Sequence, residues 1–208
     1  MQSLQELENK IKSCTACQLS ESRTQVVPGE GNPDADVMFI GEGPGKNEDL
    51  QGRPFVGAAG KLLDEMLQQN NLQREDVYIA NVVKCRPPNN RDPLPAEVRT
   101  CWSWLEKQIS IIQPRLIVLL GRHSLQRFLP KARITEHHGR ALRKEFPPFG
   151  KLVFFPCYHP AAALYNGGLR STLFSDFAKI PKVVEIIKEE EKNNSPQEEE
   201  KHSQSSLL

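Results

Sequence analysis

Apolar residues are spaced along this chain in two rhythms. Between residues 4 and 11 apolar and polar positions alternate at helical spacing, which predicts a short helix. Four short apolar runs then read as strands: 37–40, 77–83, 115–120 and 152–155. The third, Arg-Leu-Ile-Val-Leu-Leu, is nearly all apolar, the pattern of a strand buried on both faces. Helical patterns separate the strands. They cover 58–69, 95–113, a short piece over 121–129, and a last amphipathic run over 171–190 with a break at Pro181. Pro95 suits the first position of its helix, where no N–H is needed. Residues 20–35 read as loop, 161–168 as a small-residue turn, and 130–150 give no clear pattern. Strands alternating with helices place the chain in the α/β class, with a parallel sheet between two layers of helices.

The stretch from 36 to 63 organises the rest. The run Val37-Met38-Phe39-Ile40 breaks into Gly41-Glu42-Gly43-Pro44-Gly45. Three glycines and a proline in five residues end the strand and let backbone approach a ligand closely. Carboxylates follow at Glu48 and Asp49, an aromatic at Phe55, then a helix. Open α/β sheets bind ligands at such strand ends. Two nucleotide motifs fail here. A phosphate loop needs four residues between its glycines and Ser or Thr after Lys, but Gly41 and Gly45 have three between them and Asn47 follows Lys46. The dinucleotide fingerprint needs Gly where Lys46 stands. Asn81 and His159 also end or follow strands, so one edge of the sheet should gather them with Glu42.

Length allows one domain over 1–190, followed by an acidic tail over 191–208 that is too poor in apolar residues to order. No apolar run approaches the ~20 residues of a membrane span. No apolar signal block opens the chain, so a soluble cytoplasmic protein is expected. Net charge is +1, but 185–208 holds seven of the 26 acids and three of the 27 bases. The remaining body carries 24 bases against 19 acids, a charge of +5. That mild excess permits nucleic-acid binding.

Five cysteines are present. Cys14 and Cys17 form a CxxC, Cys85 follows the second strand, Cys101 lies in the following helix, and Cys157 ends the fourth strand as the odd one. A reducing compartment disfavours disulfides, so four thiolates point to a structural zinc or an iron–sulfur cluster. Zinc sites usually have two close pairs. Fifteen residues separate Cys85 from Cys101, which leans towards iron–sulfur.

The segments GEGPGKNEDLQGRPFVGAAGKLLD, NVVKCRPPNNRDP and CYHPAA, with the CxxC before them, resemble the family 4 uracil-DNA glycosylases. These are prokaryotic enzymes with a 4Fe–4S cluster, and the match runs in order over residues 1–180. The resemblance implies an α/β/α sandwich around a four-stranded parallel sheet. It implies a monomer that flips deoxyuridine out of single- or double-stranded DNA at the nucleoid. Hydrolysis of the N-glycosidic bond then releases uracil and leaves an abasic site, the start of base excision repair. By motif, Cys14, Cys17, Cys85 and Cys101 look like the cluster ligands. Glu42 and Gly43 fall in the first active-site motif, Phe55 is the base-stacking aromatic, Asn81 the uracil reader, and His159 belongs to the second motif.

Each role has a physical basis. The Asn81 amide can donate to O4 and accept from N3–H of uracil, and cytosine reverses both groups. Neutral His159 can donate to O2 of the leaving base. In family 1 enzymes the first motif reads GQDPY, and its Asp positions the water. Gly43 stands in that place here, so Glu42 becomes the first candidate to orient water and Glu48 the second. Glu48 or its loop is otherwise expected to fill the space beside C5 and exclude the methyl of thymine. Lys84, Arg86 and Arg91 are expected to face DNA phosphates, with Arg122 and Arg140 adding to that surface. The run HPAAALYNGG has no Ser or Arg beside it and names no DNA-wedging residue. The alternative is a uracil-DNA binder or covalent trap. A related branch traps DNA through a His in an inserted basic loop, but here Asn81 leads directly through Val82, Val83 and Lys84 to Cys85.

Overall fold

In a computed structural model describing residues 2–194, the strands are β1 (Glu30–Gly31), β2 (Val37–Gly41), β3 (Tyr78–Asn81), β4 (Leu116–Leu120), β5 (Leu142–Glu145) and β6 (Lys151–Cys157). The helices are α1 (Leu4–Lys12), α2 (Leu19–Ser22), α3 (Lys46–Gln51), α4 (Ala58–Gln69), α5 (Pro95–Ile112), α6 (Arg122–Phe128), α7 (Ile134–His137), α8 (Pro160–Tyr165), α9 (Gly168–Phe177) and α10 (Ile180–Asn194). The sheet order is β1-β3-β2-β4-β6-β5. Its four inner strands, β3, β2, β4 and β6, are parallel, as the alternation of elements predicts. The expected four-stranded sheet is thus extended to six by antiparallel edges, β1 on β3 and β5 on β6. Neither edge is conspicuous in the sequence: β1 has two residues, and β5 is Leu-Arg-Lys-Glu, the charged composition that blunts a sheet edge.

Side chains alternate across the sheet. Met38 and Ile40 of β2, with Ile117 and Leu119 of β4, face Leu7 and Ile11 of α1 and Leu105 and Ile109 of α5. Val37 and Phe39, with Val118 and Leu120, face Leu63 and Met66 of α4, Phe177 of α9 and Ile187 of α10. Two separate apolar clusters, one on each face, make this an α/β/α sandwich. Helix α1 begins in a capping box: Ser3 Oγ accepts from Glu6 N at 3.2 Å, and Ser3 N donates to the Glu6 carboxylate at 3.1 Å.

Two local readings change. The small-residue turn after His159 is the helix α8, because His159 caps it and Pro160 occupies its first turn. The last helical run divides between α9 and α10 at Ala178–Lys179, next to the expected break at Pro181. Helix α10 continues to Asn194, past the expected domain end at 190, and the rest of the expected acidic tail lies outside the described residues. Among the described residues no helix is long and apolar enough to cross a membrane.

Candidate active site

The parallel strands end together. Gly41 of β2 pairs with Asn81 of β3, and Leu120 of β4 pairs with Cys157 of β6. The residues just beyond these ends enclose a cleft of about 350 Å³. Glu42, Gly43, Glu48, Phe55, Asn81 and His159, all singled out in the sequence, line it. The loop after β3 adds Pro87, Asn90, Arg91 and Asp92.

Glu42 is half-buried, and among the described residues its Oε1 has no hydrogen-bond partner. Burial, and then the negative charge of Asp92, raise its pKa to about 7, while Arg122 pulls the other way. His123 Nε2 lies 3.9 Å from the other carboxylate oxygen. A carboxylate with a free oxygen and a pKa near neutrality is suited to hold and activate a water.

His159 is held as a neutral donor. Its Nδ1 accepts from Ala161 N at 3.1 Å, so the proton resides on Nε2. Burial lowers its pKa to about 4, with Glu48 opposing and His123 adding to the shift. Its ring stacks on Phe55, centroids 5.6 Å apart. Phe55 itself sits at φ +52°, a left-handed conformation that is costly for a bulky residue. Three contacts enforce it. Arg74 Nη1 donates to Phe55 O at 3.0 Å. Glu48 Oε1 accepts from Val56 N and Gly57 N, both at 2.9 Å. Gly60 leaves room for the Phe55 carbonyl, which a Cβ there would meet at 1.7 Å.

Glu48 lines the cleft and is also a loop anchor. Its Oε2 also accepts from Gly45 N at 3.1 Å, so three backbone donors hold its carboxylate across the loop. Glu42, by contrast, keeps one carboxylate oxygen without a hydrogen-bond partner among the described residues. Asp49 is likewise a loop anchor, buried and accepting from Thr24 N at 2.9 Å.

Asn81 is buried at the end of β3. Gly41 lies opposite, and a Cβ on it would come 2.4 Å from Asn81 Oδ1 and 2.7 Å from Phe55 Cζ. Only glycine leaves both side chains where they are. Gly41→Ala should lower kcat/KM on a substrate of this cleft by about 100-fold, the order expected for an ångström-scale misplacement of reacting groups, with far-ultraviolet circular dichroism unchanged. Steady-state kinetics on the purified variant check this.

The basic residues expected to face DNA fare unequally. Arg86 is half-buried and donates to Asn90 Oδ1 at 2.8 Å. Arg91 spends both terminal nitrogens on Glu97, at 2.9 and 2.6 Å. Lys84 is corrected outright: it is 1% exposed, so its ammonium cannot reach a phosphate. Arg122 and Arg140 are exposed, Arg122 lying 3.5 Å from Asp92. Arg74, Asp92 and His123 escaped the sequence reading, since nothing local marks them.

A second, small cavity is lined by Cys14, Cys17, Cys85 and Cys101 together, while Cys157 lies in the core on the opposite face. The four come from α1's end, the turn after it, the loop after β3, and α5. N–H groups point at their sulfurs: Arg23 Nη1 to Cys85 at 3.1 Å, Trp104 Nε1 to Cys14 at 3.3 Å, and Lys84 N to Cys101 at 3.3 Å. Such donors tune thiolate ligands. Burial pushes the Cys101 thiol up to about 11, and the nearby Lys84 charge opposes that shift.

Residues 28–180 match the family model of the uracil DNA glycosylase superfamily. The type-4 uracil-DNA glycosylase of Sulfurisphaera tokodaii is 50% identical over 186 residues, 86% of this chain and 84% of the relative. That of Archaeoglobus fulgidus is 49% identical over 86% of this chain and 92% of its own length. The Thermotoga maritima enzyme of the same name is 46% identical over 83% of this chain and 90% of its own. With the sheet, the cleft at its strand ends and these relatives in agreement, the chain belongs to the uracil DNA glycosylase superfamily, in its type-4 family.

Proposed function

We propose that this protein is a uracil-DNA glycosylase that flips deoxyuridine out of DNA and hydrolyses its N-glycosidic bond. The observation that carries the reading is the convergence of Phe55, Asn81, Glu42 and His159 on one cleft. A base inside a duplex is out of reach, so the enzyme must extrude it, at a cost of about a few kcal/mol. Phe55 offers the ring face for stacking, worth ~1–3 kcal/mol per base. Asn81 donates to O4 and accepts from N3–H. The C1′–N1 bond breaks with its electron pair moving into the uracil ring. Nε2–H of His159 donates to O2, where the negative charge gathers. Glu42 faces the sugar, orients the water that adds to C1′, and takes up its proton. Uracil and an abasic site are the products, and the abasic site begins base excision repair.

Cys14, Cys17, Cys85 and Cys101 would hold a 4Fe–4S cluster. The four line one small cavity and receive N–H donors from Arg23, Trp104 and Lys84. Hydrolysis transfers no electron, so the cluster's contribution when bound is to pin the N-terminal segment, the loop after β3 and α5 to one another. The cleft is complete within one chain, so the enzyme acts as a monomer, on the nucleoid of a prokaryotic cytoplasm, with Arg86, Arg122 and Arg140 towards the phosphates.

The test is identification of the released base. DNA containing deoxyuridine, and the same DNA with thymidine, are incubated with anaerobically purified protein, and the small-molecule fraction is analysed by mass spectrometry. Free uracil in proportion to abasic sites is expected, with no thymine. Abasic sites without free base, or no release from either DNA, would overturn the proposal. Within this reading, His159→Ala should lower kcat by about 10²–10³-fold, the effect of removing one preorganised donor to a developing anion, while binding of uracil-containing DNA changes little.

A further inference from the structure

We propose that Lys84 is a positioning residue for base recognition: it fixes the peptide of Asn81 and ties that peptide to the wall of the cysteine cavity. The proposal rests on Asn81 being the base reader.

Lys84 looks like a DNA-binding residue in the sequence, between Val83 and Cys85 in a loop with Arg86 and Arg91. The fold turns it inward. Its Nζ donates to the backbone carbonyl of Asn81 at 2.9 Å and to Gln108 Oε1 at 2.6 Å. Its own backbone N–H donates to Cys101 Sγ at 3.3 Å. One residue thus touches the base reader through its side chain and the cysteine site through its main chain.

The geometry explains why a lysine is needed. Asn81 is the last residue of β3, where the ladder with β2 ends. Val82 N and Val83 N still donate to Gly41 O and Glu42 O, at 2.9 and 3.0 Å. The Asn81 carbonyl is received by the Lys84 ammonium, three residues on. A buried carbonyl without a donor is costly, and one held by a charged donor is firmly oriented. The amide of Asn81 projects from that same peptide. Gln108 completes the support. Its Nε2 donates to Tyr78 OH at 2.9 Å and to Pro28 O at 2.8 Å, and Tyr78 OH donates to Glu8 at 2.9 Å. The chain of bonds runs from α1 through β3 and α5 to the floor of the base pocket. Hydrogen bonds that discriminate between bases need their donor and acceptor fixed to within a few tenths of an ångström, which a free strand end does not provide.

The experiment uses full-length protein and an oligonucleotide with one 2′-fluoro-2′-deoxyuridine. Its glycosidic bond resists hydrolysis because fluorine disfavours a cationic sugar, so binding is read without turnover. The same oligonucleotide with thymine is the control, and affinities are measured by fluorescence anisotropy at two salt concentrations. Iron per chain and visible absorbance are recorded for every variant. Lys84→Met should leave thymine-DNA binding and its salt slope unchanged and reduce the preference for uracil by about tenfold, the loss expected from one charged hydrogen bond. In an Asn81→Ala background it should reduce that preference by less than about twofold, because the two residues act as a unit. A uniform loss on both DNAs with a shallower salt slope would make Lys84 a phosphate contact and overturn the proposal. Equal losses with and without Asn81 would overturn it too. If Lys84→Met does not fold, Gln108→Leu keeps the lysine and removes its partner. A drop of about threefold in uracil preference is then expected, and an unchanged preference contradicts the proposal. Wild-type protein that prefers neither DNA would mean that Asn81 is not a base reader, a failure of the underlying reading and recognisable as such.

Discussion

Glu42→Gln is expected to lower kcat by about 10²–10⁴-fold while leaving the affinity for uracil-containing DNA within a few-fold of wild type. The amide has almost the same shape as the carboxylate, so the loop and Phe55 stay in place. What is lost is the negative charge opposite the sugar and the acceptor for the proton of water. The pH dependence has a definite sign. Burial and Asp92 raise the Glu42 pKa to about 7, and the role proposed for it requires the carboxylate. Wild-type kcat/KM should therefore rise about tenfold per pH unit below 7 and level off above it. His159, with a pKa near 4, stays neutral throughout and adds no second limb in this range. The variant should lack the limb near 7. Stability should move the other way. Glu42 holds its proton more tightly folded than unfolded, so ionising it disfavours the folded state as pH rises from about 4.5 to 7. Glu42→Gln should accordingly raise Tm at pH 8 and leave it nearly unchanged at pH 4. Thermal denaturation at the two pH values, beside the kinetic pH profile, checks both halves.

The second large effect belongs to Asn81. Asn81→Ala should lower kcat/KM on uracil by about 10³-fold or more, with most of the preference over cytosine lost, because a site built on hydrogen bonds discriminates by ~10⁴ when its groups are matched. Asn81 is itself buried at the cleft wall, so bulk water is a poor substitute for the two hydrogen bonds proposed for it. The loss should be specific: affinity for uracil-free DNA and its dependence on salt are set by phosphate contacts and should not change. Competition kinetics with uracil, cytosine and thymine in one sequence context measure the discrimination directly.

These two residues were legible in the sequence for a local reason. Each sits at or just after the end of an apolar strand, and strand ends in parallel sheets share an edge. The runs that became β2 and β4, and the helix opened by Pro95, are equally local. What was not legible depends on distant partners. Glu48 shows its charge in the sequence but not the hydrogen bonds it accepts from Val56 N and Gly57 N. Arg74 has no local mark, yet it holds Phe55 from 19 residues away and Glu30 from 44. Lys84 shows its charge in the sequence but not its burial, which Gln108 makes tolerable from the C-terminal part of α5. Helix α8 was hidden because its cap is a histidine rather than Ser, Thr, Asp or Asn. Strand β5 was hidden because an edge strand has one neighbour and can afford charge on most of its residues.

The most direct measurement is strand scission at a single uracil. A 5′-labelled oligonucleotide with one deoxyuridine is incubated with the protein, treated with alkali and run on a denaturing gel, beside an identical strand with thymine. Cleavage at uracil alone is expected, in single- and double-stranded DNA. An uncleaved strand would contradict the proposed function, and a slow, heat-stable protein–DNA band in place of cleavage would show covalent capture instead of hydrolysis.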